Sequence, residues 1–130
     1  MSKYVPYHAE SQGMAKQLCS GIRDPVKKLK TITGYVSGSI GYDYIRATQV
    51  AKLKGQYPDV SGCWSKHMGI CLDTAALTVG MLRAVGIRAY LCIGHADRNY
   101  HAWVEAEINS QTFRYDHDGK ADNYTTERKY

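Results

Sequence analysis

From Leu72 to Val85 the apolar positions leave no polar face on a helical projection: Leu72, Ala75, Ala76, Leu77, Val79, Met81, Leu82 and Val85 surround the axis. A helix of that kind is buried on all sides. Gly86 stands where a left-handed cap is favoured, so the pattern predicts a helix from about Cys71 to Val85. Downstream the period changes to two. "IRAYLCIG" alternates Ile87, Ala89, Leu91 and Ile93 with Arg88, Tyr90 and Cys92, and "HAWVEAEI" alternates Ala102, Val104, Ala106 and Ile108 with His101, Trp103, Glu105 and Glu107. Both read as strands. Upstream, Met14, Leu18 and Ile22 recur at helical spacing. Asp24 followed by Pro25 supplies an N-cap and first-turn proline for a second helix carrying Val26, Leu29, Ile32, Val36 and Ile40, which Gly34 and Gly38 weaken.

Residues 1–10 are polar, contain Pro6 and have no period, and are expected to form an arm ahead of one domain over residues 11–130. Residues 41–68 mix turn formers with isolated apolar positions and are expected to be a long loop with no more than one helical turn. Long ordered loops often border sites. Helices first and a strand meander afterwards make the class α+β: N-terminal helices and a central buried helix packed on an antiparallel sheet.

An Asn109-Ser110 turn would join the second strand to "QTFRYDHD" and set the register. Ile108 then faces Gln111, Glu105 faces Arg114, Trp103 faces Asp116 and His101 faces Asp118, with the last three pairs on one side of the sheet. Slipping by one residue would turn Phe113 and Tyr115 toward that polar set. His101 therefore lies opposite Asp118 and diagonal to Asp116, within reach of either carboxylate.

Composition narrows the function classes. At 130 residues, with 44% hydrophobic and 22% charged, the chain can bury a core without staples. Arg83 and Arg88 interrupt the longest apolar region, so no membrane span is expected. The N-terminal residues show no secretory leader, which leaves the compartment open, a secreted or cell-envelope domain lacking its leader included. Net charge is +5, yet the basic residues are scattered and no groove-reading or base-stacking motif accompanies them, so no specific nucleic-acid role is expected. Four cysteines (Cys19, Cys63, Cys71, Cys92) show no CxxC spacing. Cys63, His67 and Cys71 recur every four residues and would share a face on one helix, but Gly62 and Gly69 interrupt it, and no metal site is expected. Eleven tyrosines against one phenylalanine suit a peptide- or sugar-lined cleft as well as half-buried packing.

Cys71 would stand at the start of the buried helix, where unsatisfied N–H groups and the positive dipole end favour thiolate over thiol. A histidine can hold that thiolate as an ion pair, a carboxylate can fix the histidine tautomer, and the cysteine N–H can donate to the oxyanion of a tetrahedral intermediate. Each residue alone reads more simply: a cysteine on a buried helix is usually core. The conjunction of Cys71 at a helix start, His101 at a strand start and an aspartate on the next strand points to thiol acyl transfer.

The run "GICLDTAALTVGMLRAVGIRAYLCIG", then "HAWVEAEI" and "FRYD", resembles the core of the transglutaminase-like superfamily, whose fold is related to papain-like cysteine proteases. The resemblance spans Gly69 to Asp116 and implies Cys71 as nucleophile, His101 as general base and acid, and Asp116 as the orienting carboxylate. It implies no cofactor, and a peptide or protein substrate attacked at a side-chain or backbone amide. Family members usually continue Asp-Pro-Thr where this chain reads Asp116-His117-Asp118, so Asp118 is the alternative acid. The extra strands, calcium sites and flanking β-domains of large animal transglutaminases have no expected counterpart after it, so the chain looks like the small bacterial-type core alone. Hydrolysis and transfer to an amine are not separated by the sequence. Trp103 would shield the base or fill the core, and Tyr42, Tyr44 and Trp64 lie where a second oxyanion donor is often placed. The competing class is a catalytically silent module of the same fold that binds a peptide or glycan in a tyrosine-rich cleft.

Overall fold

The computed structural model describes residues 2–50 and 52–130. Met1 of the expected arm and Ala51 of the expected loop lie outside them. Helix α1 (Ala9–Leu18) is followed by α2 (Pro25–Ser39), whose N-cap Asp24 accepts from the Lys27 N–H at 2.9 Å. Val5 is nonetheless buried, and the Tyr4 ring stacks on Tyr130 at 3.9 Å between centroids, so the N-terminal residues pack against the C-terminal end of the chain.

Residues 41–68 are more ordered than their pattern predicts. They contain strand β1 (Gly41–Tyr42), helix α3 (Tyr44–Gln49) and helix α4 (Val60–Lys66), leading into strand β2 (Met68–Gly69). Both helices start on aspartate caps: Asp43 accepts from the Arg46 N–H at 3.0 Å and Asp59 from the Gly62 N–H at 2.9 Å. They are six and seven residues long, and α3 has no buried residue, so neither carries an apolar stripe for a period to reveal. His67 ends α4 in the left-handed conformation, so Cys63, His67 and Cys71 do not share a helix.

Helix α5 (Cys71–Ala84) is the centre of the molecule, buried continuously from Leu72 to Leu82. It packs against α1, α2 and α4 on one side and on the other against β3 (Arg88–Ala96) and β4 (Asn99–Ile108). Filling both sides with helix and sheet is what an all-round apolar helix requires, and each fully buried Leu or Met contributes about 1.5–3 kcal/mol. The facing sheet residues are paired Ala89 with Ala106, Leu91 with Val104, and Ile93 with Ala102, all buried. Their alternation along β3 and β4 is the period seen in the sequence.

Strands β5 (Gln111–Tyr115) and β6 (Tyr124–Lys129) complete an antiparallel sheet of order β5-β4-β3-β6. The β4–β5 register pairs Ile108 with Gln111 and Glu105 with Arg114, and both turn residues, Asn109 and Ser110, have positive φ as a type I′ hairpin demands. β6 carries no apolar alternation because it is an exposed edge. Its pairing with β3 shifts register between Ile93 and Gly94, where a Cβ on Gly94 would overlap the Thr125 carbonyl oxygen. Gly94→Ala is therefore expected to cost roughly 1–3 kcal/mol. Chemical denaturation and faster amide exchange along β6 would register that loss; an unchanged midpoint would contradict the close approach.

Candidate active site

The head of α5 is held by one buried carboxylate. Asp73, 1% exposed, accepts from Ile70 N–H at 3.0 Å, from Asp59 N–H at 2.8 Å, and from Arg46 through Nε at 2.7 Å and Nη2 at 2.9 Å. The bond to Asp73 pushes the Arg46 guanidinium pKa up, against the opposing effect of burial. Asp43, also buried, accepts from Lys66 Nζ at 2.8 Å, while its N–H donates to the Gly69 carbonyl at 3.1 Å. The two carboxylates lock α3, α4 and the strands between them onto the turn that carries Cys71. Gly69 must lack a side chain, since a Cβ would sit 2.8 Å from Cys63 Sγ and 2.9 Å from Asp73 Cβ. The pattern of the sequence does not single out Asp73 or Arg46. A lone carboxylate in the first turn of an otherwise apolar helix is the one signal it carries for them.

Cys71 opens α5 and is half-buried, whereas Cys19, Cys63 and Cys92 are buried. Burial pushes the Cys63 and Cys92 thiols up to about 12 and raises Cys19 as well. His101 stands near the start of β4 with Nε2 2.8 Å from Asp116 Oδ1, and Asp116 Oδ2 accepts from the Tyr124 hydroxyl at 2.7 Å. Cys71 acts on the same ring and raises its pKa. With Nε2 directed at Asp116, Nδ1 is the nitrogen left for the thiol. Burial disfavours the imidazolium, but the bond to Asp116 and the influence of a Cys71 thiolate outweigh it and push His101 from 6.5 to about 10. Burial likewise works against the Asp116 charge, yet the bonds from His101 and Tyr124 hold its carboxyl below the usual range. One pair bond underlies both shifts.

Asp118 is solvent-exposed, and the carboxylate bonded to His101 is that of Asp116. Trp103 is buried beside His101, with ring centroids 6.4 Å apart, and its Nε1 donates to Glu105 at 3.2 Å. Tyr42 stands opposite Gly69, two residues before Cys71, because β1 pairs with β2; burial and then the charge of a Cys71 thiolate raise its pKa. Tyr44 lies edge-on to Tyr42 at 4.8 Å and is 75% exposed. Trp64 packs among His8, Tyr35 and His67. A cavity of about 180 Å³ opens beside His101, lined by Asn99, Asp116, Asp118 and Lys120. A larger cavity, about 570 Å³, lies by Gly86, Arg88 and Asn109 at the other end of the sheet, away from any of these groups.

The sequence profile of the Transglutaminase-like superfamily matches residues 12–118, which take in Cys71, His101 and Asp116. The chain belongs to this superfamily. Among solved structures this transglutaminase-like chain is similar to a candidate cysteine protease from Cytophaga hutchinsonii, at 21% identity and a TM-score of 0.70, over 92% of this chain and 40% of that one. It is also similar to a candidate protease from Parabacteroides distasonis, at 19% identity and a TM-score of 0.61, over 82% of this chain and 22% of that one. A protein described as a TGase matches at 16% identity and a TM-score of 0.60, over 92% of this chain and 34% of that one. These likenesses show a shared fold, and the chain spans less than half the length of each neighbour. No curated protein matches the chain. Among the described residues no helix is long and apolar enough to cross a membrane.

Proposed function

We propose that residues 11–130 form one catalytic domain that attacks peptide or protein amides with Cys71 and passes the acyl group onward through a thioester. The observation that supports this best is the His101–Asp116 bond at 2.8 Å, with Cys71 at the head of α5 raising the pKa of the same ring. In this reading the Cys71 thiolate adds to the amide carbonyl, and the resulting oxyanion is met by the Cys71 N–H, which as the first of its helix has no intrahelical acceptor, and by the Tyr42 hydroxyl. Collapse breaks the C–N bond while His101 gives its proton to the departing amine. Water or a second amine then attacks the thioester, losing a proton to His101 and releasing the thiolate. Asp116 keeps the ring in register and stabilises its cation. The protease and TGase designations of the structural neighbours agree with a peptide amide as substrate.

The pH dependence tests the role of His101. Amide turnover is expected to fall as pH rises through about 10, where the imidazolium loses the proton the leaving group needs. Alkylation of Cys71 by iodoacetamide needs only a thiolate and is expected to persist. Parallel loss of both while circular dichroism stays native would count against His101 as the acid. Because the folded state holds this proton more tightly than the 6.5 of a free imidazole, its stabilisation is fully present at about 6.5 and disappears toward 10, while the depressed Asp116 carboxyl makes the pair's share fall again in acid.

A further inference from the structure

His117 occupies the position after Asp116, where the superfamily usually has proline, and its ring makes two hydrogen bonds that proline could not. Nε2 lies 2.8 Å from the Ile40 carbonyl oxygen and Nδ1 lies 2.8 Å from the Tyr115 hydroxyl. A carbonyl can only accept, so Nε2 carries the proton. In the neutral ring Nδ1 then accepts from Tyr115, whose oxygen is 2.8 Å from Ser37 Oγ and can accept from it. Ser37 lies in the last turn of α2 and Ile40 caps that helix, so the relay leaves α2, crosses the end of β5 and returns to α2 three residues later. Asp116 takes no part, since its oxygens are committed to His101 and Tyr124.

Ile40, where the relay returns, is the residue that leads into the site. Its backbone is extended, and β1 begins at the next residue with only two members. Along its other edge β1 is tied by Gly41 N–H to the His67 carbonyl at 2.9 Å and by Asp43 N–H to Gly69. The Ile40 carbonyl is the last backbone acceptor before that strand. We propose that His117 is a positioning residue that holds Tyr42 at the thiol, by pinning the Ile40 carbonyl to the segment that carries Asp116. It ties the chain bearing the oxyanion donor to the chain bearing the acid, so both stand at fixed distances from Cys71. This rests on the role given to Tyr42 and Cys71 under the proposed function.

The test uses a pool of short glutamine-containing peptides with hydroxylamine as acyl acceptor, hydrolysis and hydroxamate being read by mass spectrometry. His117→Gln places an amide N–H near the position of Nε2 and is expected to retain most of kcat. His117→Asn is too short to reach Ile40, and His117→Phe fills the space without a donor; both are expected to lower kcat about tenfold at little change in KM. Tyr42→Phe is expected to lower kcat by about 10- to 100-fold, below the full range for a lost oxyanion donor because the Cys71 N–H remains. The double variant His117→Phe/Tyr42→Phe should fall no further than Tyr42→Phe alone. Iodoacetamide alkylation of Cys71 and its pH profile should stay as in the wild type. Multiplying losses in the double variant, an inert Tyr42→Phe, no difference between Gln and Asn at 117, or alkylation slowed along with turnover would each overturn the proposal. If His117→Phe fails to fold, His117→Asn replaces it in the cycle. Full activity of Cys71→Ala would instead overturn the proposed function itself.

Discussion

Cys71→Ala is expected to abolish amide turnover, and His101→Ala to lower it by at least about 10²- to 10⁴-fold, with both variants folded. Cys71 supplies the bond-forming atom and His101 the proton, and neither side chain anchors the core: Cys71 is half-buried at a helix start and His101 is 18% exposed. The same arrangement makes the thiols chemically unequal. At mildly acidic pH, Cys63 and Cys92, both pushed up to about 12, are almost wholly protonated and sealed from solvent. Cys71, by contrast, is only half-buried at the helix head and acts on the His101 ring. Iodoacetamide followed by peptide mass spectrometry should mark Cys71 first in the wild type and lose that preference in His101→Ala. Equal labelling of all four cysteines would remove the ground for a thiolate–imidazolium pair.

Asp73→Ala is expected to cost about 3–5 kcal/mol, because it strands a partly buried cation. The carboxylate is 1% exposed and accepts four hydrogen bonds, two from Arg46 and one each from the Asp59 and Ile70 N–H groups. Removing it leaves the guanidinium facing an apolar helix and two backbone donors without acceptors. For a domain of this size the loss corresponds to a melting temperature lower by roughly 10–20 °C. The double variant Arg46→Met/Asp73→Ala should be more stable than Asp73→Ala, since it removes the orphaned charge. Thermal unfolding by circular dichroism decides the matter. A loss under about 1 kcal/mol for Asp73→Ala, the range of an exposed pair, would mean that solvent reaches Arg46 and replaces the bond. Activity is expected to fall beyond what unfolding explains, because this carboxylate sets the turn from which Cys71 projects.

Helix α5 and the β3–β4–β5 meander are legible in the chain because each buries a face, and burial writes its period into the residues: all-round apolar for α5, alternate for Ala102, Val104 and Ala106. The hairpin register comes from a two-residue turn, and Glu105 does face Arg114. Helices α3 and α4 escape the pattern because they are short and held by polar atoms; their information lies in the caps Asp43 and Asp59, residues equally at home in loops. β6 escapes it because an exposed edge strand imposes no period.

The candidate site divides along the same line. Local pattern is sufficient to put Cys71 at a helix start, His101 at a strand start and two aspartates at the end of the next strand. It cannot choose between the aspartates, because pairing ends at Val104 and Tyr115 and the path of the chain beyond is set by contacts with distant segments. One such contact is Tyr124 from β6 on Asp116, and another is His117 on Ile40. The sequence by itself determined the central elements and the face each buries, since those depend on neighbours one helical turn or one strand step away. Tertiary structure alone decided which carboxylate meets the imidazole, which strand lies beside the turn that carries Cys71 and which buried ion pair locks that turn, since each joins groups whose separation along the chain carries no period.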